Sequence, residues 1–288
     1  MRLRRCGVPT FRYRLVCRWQ TGAAKSLDDQ KSNSSPPRLS AVQVYRAIQS
    51  EGEDELARPN WSLWWSGIGA GLAIAASVVG RAALHDKLPD NAWRPFIENF
   101  GYCVGFVIVI LGRIQLFTEN TITVILPLMA RPSFKMLTRT ARLWLIVFVA
   151  NILGAIIAAL LTYYGSFTPA QAHAAVAVAE PLTHKGWVEM LLEAIPAGFL
   201  VASIVWMIPN ARGFEIWVIL LATYVIAIGG YVHIIVGAME VAILFLAGQM
   251  SLFDSVFVFM IPVLIGNVLG GTALFSLLAY GQVRHEIH

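Results

Sequence analysis

Five long stretches of this sequence carry no Asp, Glu, Lys or Arg: residues 61–80, 143–172, 194–211, 216–239 and 255–283. Each reaches, or comes close to, the ~20 residues that a helix needs to cross ~30 Å of hydrocarbon. A chain built on such runs is an all-α polytopic membrane protein. Its composition agrees, with 57% hydrophobic and 14% charged residues.

Charge gives an orientation. Eleven of the 22 Lys and Arg residues precede position 59. Beside a membrane span, a basic start marks the cytoplasmic side and does not call for a nucleic-acid partner. Residues 1–27 hold six arginines and no acid, and no apolar core of secretory-signal length follows. They read as a basic disordered tail to about residue 39, or alternatively as an organellar transit peptide. Cys6, Cys17 and Cys103 have neither disulfide-framework nor metal-ligand spacing, and no metal or cofactor is expected.

Taken in order, Ser40 and Gln43 offer a capping box for a short amphipathic cytoplasmic helix over residues 40–56, ended by Pro59. Trp61, Trp64 and Trp65 then form an interfacial belt for a first span that runs to about Gly80, with a polar loop over 81–95. Residues 99–112 are uncharged, then Arg113 and Glu119 bracket a polar insert, then 120–130 are uncharged again. This is the pattern of one broken helix, which needs protein or a cavity around it. Spans over 143–164 and 188–208 follow, separated by a loop holding His173, Glu180, His184 and Lys185. The next span is interrupted at Gly229-Gly230 and His233, and the last covers 256–280. The domain order is thus tail (1–39), amphipathic helix (40–58), six-span domain (59–282) and a cytoplasmic tail (283–288).

The halves repeat. Asn151-Ile152-Leu153-Gly154 returns as Asn267-Val268-Leu269-Gly270, an offset of 116 that also carries Thr118 onto Ile234, beside His233. Each half reads whole, broken, whole. Six transmembrane helices arranged as a 3+3 inverted repeat with two broken helices place the path at the breaks. Both termini fall in the cytoplasm.

Leu116-Phe117-Thr118, Lys185, Gly230-Tyr231-Val232-His233 and Gly266-Asn267-x-x-Gly270-Gly271, in this order, resemble the formate/nitrite transporter family over roughly residues 40–282. The resemblance implies an aquaporin-like fold in a bacterial inner membrane, assembled as a homopentamer in the lipid bilayer with one pore per protomer. It implies that Thr118 and His233 face each other in that pore. It places Tyr102, Phe106 and Ile226 at constrictions, with Leu116 and Phe117 near the first break, and has Lys185 attract small anions. Arg113, Val232 and Gly237 depart from the family pattern.

On physical grounds an imidazole at membrane depth exchanges protons near neutral pH or simply hydrogen-bonds a neighbouring helix. Thr118 either orients His233 or caps a helix. Asn151 and Asn267 suit freed backbone at the breaks, and Asn267 equally suits a pore role. Lys185 sits in a vestibule or snorkels. Arg113 pairs with Glu119 or Glu240, or serves as a second anion-attracting charge. The expected activity is non-enzymatic passage of a small monovalent anion or its acid. The alternatives are a neutral-solute channel of aquaporin-like architecture and a membrane redox subunit; the second lacks paired intramembrane ligands.

Overall fold

A computed structural model describes residues 38–165 and 168–287. The basic tail expected over 1–39 lies outside these apart from its last two residues. From Leu39 onward the chain is one compact unit, helical throughout its described residues apart from caps, turns and loops.

Helix α1 (Ala41–Ala57) has the capping box read from the sequence: the Ser40 hydroxyl accepts from Gln43 N–H, and the Gln43 side chain accepts from Ser40 N–H. Its apolar face, Val44, Tyr45 and Ile48, is buried against Ile122 and Leu126. Burial, with Tyr280 beside it, pushes the Tyr45 phenol up to about 12, so it remains neutral and donates to the Leu126 carbonyl at 3.4 Å.

Pro59 opens α2 (Asn60–Ile74), which continues through a small bend at Ala75 into α3 (Ala76–Lys87). The polar loop expected from residue 81 therefore begins later, at Leu88. Nothing between Gly80 and Pro89 breaks a helix, and Arg81 and His85 find protein partners on the next helix. The first interrupted unit comprises α4 (Arg94–Leu111), α5 (Asn120–Thr123) and α6 (Ile125–Ala130). Helix α7 (Phe134–Tyr164) starts nine residues before the expected span. Ser133 caps it, and its basic first turns include Arg142, which bonds the carbonyls of Leu56 and Arg58.

The loop expected next contains α8 (Pro169–Ala179), a helix the charge pattern concealed. Thr168 and Gln171 form its capping box, and it continues as a short 3-10 turn to His184. Then come α9 (Trp187–Ala211), α10 (Glu215–Ile228) and α11 (Ile234–Leu246). The last helix is continuous over Asp254–Val283, with two wider π-type stretches around α12 (Ile261–Val268) and a final α13 (Leu277–Val283).

Among the described residues, five helices are long and apolar enough to cross a membrane: Asn60–Lys87, Arg94–Leu111, Phe134–Tyr164, Trp187–Ala211 and Asp254–Val283. The shorter apolar helices Asn120–Ala130, Glu215–Ile228 and Ile234–Leu246 flank the two interruptions.

Two close pairs of long helices hold the body together, α2 with α7 and α9 with the last helix. Small residues permit both. A Cβ on Gly71 would lie 2.1 Å from the Asn151 carbonyl oxygen, and one on Gly198 would lie 2.2 Å from that of Asn267. The backbones touch next to the two asparagines, which fixes where those side chains can reach.

Candidate functional site

The two breaks are built alike. α4 ends on Gly112 and α10 on Gly229, and the next residue turns left-handed in each case: Arg113 at φ 51° and Gly230 at φ 67°. Ile114 N–H then reaches back to the Val109 carbonyl at 3.2 Å, and Tyr231 N–H to the Ile226 carbonyl at 3.0 Å. These are Schellman ends. At the second break glycine relieves the left-handed backbone; at the first, arginine bears it, which costs roughly 1–2 kcal/mol. A Cβ on Gly230 would meet nothing within 4 Å. Gly230→Ala is therefore expected to lose about 1 kcal/mol by backbone strain alone, read as a small drop in unfolding temperature.

One asparagine clamps each break. Asn151 donates to the carbonyls of Gly67 and Gln115, both at 2.8 Å, and accepts from Phe117 N–H at 2.8 Å. Asn267 donates to Ala194 at 2.7 Å and Val232 at 3.0 Å, and accepts from Ile234 N–H at 2.9 Å. Each carboxamide thus ties two long helices to the irregular backbone of the interruption, satisfying groups that lipid could not. These bonds refine the sequence offset. Gln115 matches Val232 and Phe117 matches Ile234, so the breaks are 117 apart although the asparagines are 116 apart. Phe117, not Thr118, is the counterpart of Ile234.

Between the breaks, Thr118 Oγ1 and His233 Nε2 are 2.7 Å apart, both buried. His233 is also the N-cap of α11: its Nδ1 accepts from Val236 N–H at 3.3 Å. An accepting Nδ1 leaves the hydrogen of a neutral ring on Nε2, donated to the Thr118 oxygen. The Thr118 hydroxyl hydrogen has no acceptor in the hydrogen bonds of this pair. Phe106 meets the imidazole edge to face, centroids 4.9 Å apart, and Tyr102 lies one turn below Phe106 at 5.5 Å. Tyr102, Phe106, Leu116 and Ile226 are all buried. Phe117 packs edge-on against Trp144 and Phe148 and so braces the first break on α7. Gly237, one of the departures from the family pattern, is covered by the ring of Phe259.

Two cavities lie by the breaks, and one of them reaches the pair. The first, of about 90 Å³, is lined by Glu51, Glu55, Arg113, Gln115 and Glu119. The other, of about 100 Å³, reaches His233 itself and is lined by Arg81, Tyr102, Lys185, Tyr231 and Glu240. Either holds a few waters or a small anion.

The charges pair differently from the sequence reading. Arg113 reaches Glu51 on α1 at 2.5 Å, in place of Glu119 or Glu240, because its left-handed backbone turns the side chain outward, where it is 73% exposed. Gln115, two residues on, donates a hydrogen bond from its side-chain amide to Glu55 at 2.7 Å. Glu119 lines the first cavity, and one of its carboxylate oxygens is buried without a hydrogen-bond partner among the described residues. Glu240 lies 4.0 Å from Arg81, and Lys185 contacts Glu193 and, at 3.4 Å, the Gly230 carbonyl. Arg81 was hidden in the expected loop; the absence of a helix breaker before Pro89 was the available signal.

The sequence matches the model of the formate/nitrite transporter family over residues 42–281. It is 38% identical to the inner membrane protein YfdC of Escherichia coli over 248 residues, 86% of this chain and 80% of that protein. The formate-nitrite transporter of Plasmodium falciparum is 25% identical over 226 residues, 72% of each chain. Among solved structures, an FNT family ion channel superposes with TM-score 0.74 at 17% identity, covering 84% of this chain and 99% of the other. A pentameric formate channel with formate bound superposes with TM-score 0.67 at 17% identity, covering 79% and 98%.

Proposed function

The chain belongs to the formate/nitrite transporter family, and from that premise we propose that it conducts small monovalent anions, formate- or nitrite-like, past Thr118 and His233. The observation that carries this is the buried Thr118–His233 pair, hydrogen-bonded at 2.7 Å, with a cavity that reaches His233. It is supported by a pore centre whose two polar groups stand among apolar side chains: Tyr102, Phe106, Leu116 and Ile226 constrict the path, and Phe117 holds the first break in place. A bare anion is strongly disfavoured in such surroundings. It crosses by accepting hydrogen bonds from the pair or by being neutralised.

Passage is pH-dependent or proton-coupled through the His233 imidazole. Charging the ring requires a proton on Nδ1, which must release the Val236 N–H it now accepts. Proton uptake is therefore tied to loosening of the first turn of α11. Lys185 stands at the entrance and draws anions in, and Asn267 holds the break that carries His233.

Around this path the proposal keeps the six-crossing arrangement, each broken unit counted once, as a 3+3 inverted repeat with both termini in the cytoplasm. The protein sits in a bacterial inner membrane as a homopentamer, and α1 lies on the cytoplasmic face.

The test is flux into proteoliposomes of formate, nitrite, acetate, lactate, hydrosulfide and water at two pH values. Formate and nitrite should enter faster than they enter protein-free vesicles, and the excess should be larger at the lower pH. Rapid water flow with no oxyanion uptake would replace this reading with a neutral-solute channel.

A further inference from the structure

Lys185 does not stand alone in its cavity, and its charge is already met by Glu193. Arg81 is the cation with donors to spare. It sits on α3, inside the long apolar helix Asn60–Lys87, with its side chain 22% exposed. Its carboxylate neighbours are at 3.7 Å (Glu98) and 4.0 Å (Glu240), beyond hydrogen-bond distance. Glu98 is shared besides with His85 at 2.8 Å and Arg94 at 4.0 Å. Of the five guanidinium N–H groups, one makes a hydrogen bond among the described residues, to the Val178 carbonyl at 3.4 Å, and Nε is buried with no partner.

A buried polar group left unmatched is costly, and a planar fork of donors matches an oxyanion through two parallel bonds. Lysine offers only a point charge. The cavity that Arg81 lines ends at His233, so a group held there is next in line for the Thr118–His233 pair.

We propose that Arg81 is an oxyanion-binding residue of this cavity, taking a planar monovalent carboxylate or nitrite by its fork just before His233. Glu240, loosely opposed at 4.0 Å, is the carboxylate that the incoming anion competes with. The inference rests on the anion-conducting reading and adds to it a preference for planar oxyanions over compact anions such as hydrosulfide. The two bearing charges, Arg81 and Lys185, are balanced locally by Glu240 and Glu193, so selection depends on donor geometry more than on net charge.

The experiment measures concentration-dependent uptake of formate and hydrosulfide by the full chain in proteoliposomes, for wild type, Arg81→Lys and Glu240→Gln. Arg81→Lys should raise the formate KM by ~10-fold or more while hydrosulfide stays within ~2-fold, because charge is kept and the fork is lost. Glu240→Gln should lower the formate KM, since the competitor has gone. Equal effects of Arg81→Lys on both anions, or none on formate, overturn the proposal. If Arg81→Lys does not assemble, Glu240→Gln decides: an unchanged or raised formate KM overturns it. Wild-type protein that moves no oxyanion at all defeats the underlying channel reading, an outcome visible before any variant is compared.

Discussion

His233→Asn is expected to abolish the pH dependence of formate flux and to slow it by ~10²-fold, the lower range for removing a positioned acid–base group. Asparagine is a good N-cap, so Val236 N–H keeps an acceptor and the start of α11 stays formed. The variant therefore separates the ring's two jobs. Its unfolding temperature should stay close to wild type while its flux becomes flat with pH. His233→Ala, which loses the cap as well, should fall by a further ~1 kcal/mol in stability. Thr118→Val should keep a titrating histidine yet lose the hydroxyl that receives Nε2–H, giving slower flux that still varies with pH. Flux that survives His233→Asn with its pH profile intact would remove the imidazole from the mechanism.

Asn267→Leu is expected to be the most damaging single change to the fold. Leucine fills a similar volume but strands the Val232 carbonyl and the Ile234 amide and removes the bond to the Ala194 carbonyl on the neighbouring helix. Each buried group left unpaired costs about 1–3 kcal/mol, so the sum is several kcal/mol, a large part of a typical total stability. Little assembled protein should survive detergent extraction. Asn151→Leu should behave in the same way through Gly67, Gln115 and Phe117. Asn210→Leu provides the control, because its partner Leu39 is near solvent. It should cost no more than ~1 kcal/mol. Recovery of stable Asn267→Leu protein would show that water or lipid headgroups serve the break instead.

These two positions also show which parts of the molecule were legible before its structure. The asparagines stood out because the same short pattern recurs at a fixed spacing, and hydrogen-bonding freed backbone is what a carboxamide at membrane depth does well. The second break was legible from its glycines, since Gly230 occupies a left-handed position. The first break lacks that cue: Arg113 takes the same conformation, and its charge invited a search for acids inside the membrane. Glu51 was out of sight because it lies 62 residues away in sequence.

Helix ends were misread for one reason. Cutting spans at charges assumes that charge meets lipid or water, whereas Arg81 and His85 meet Glu98, and Arg142 meets the carbonyls that end α1. Helix α8 was missed on the same criterion, although Thr168, Pro169 and Gln171 spell out its start. Tertiary partners, which no local pattern contains, decided these boundaries.

The clamps at the two breaks also govern time. Both N–H groups of each carboxamide and its oxygen are already engaged, so water has no foothold from which to pry the interruption open. The amides of Phe117 and Ile234 should exchange their hydrogens only in the slowest, near-global openings, while the vestibule side chains rearrange far more often. What look like two joints in the helices are anchors, and the loosening expected there is confined to the Val236 N–H that His233 releases on taking up a proton.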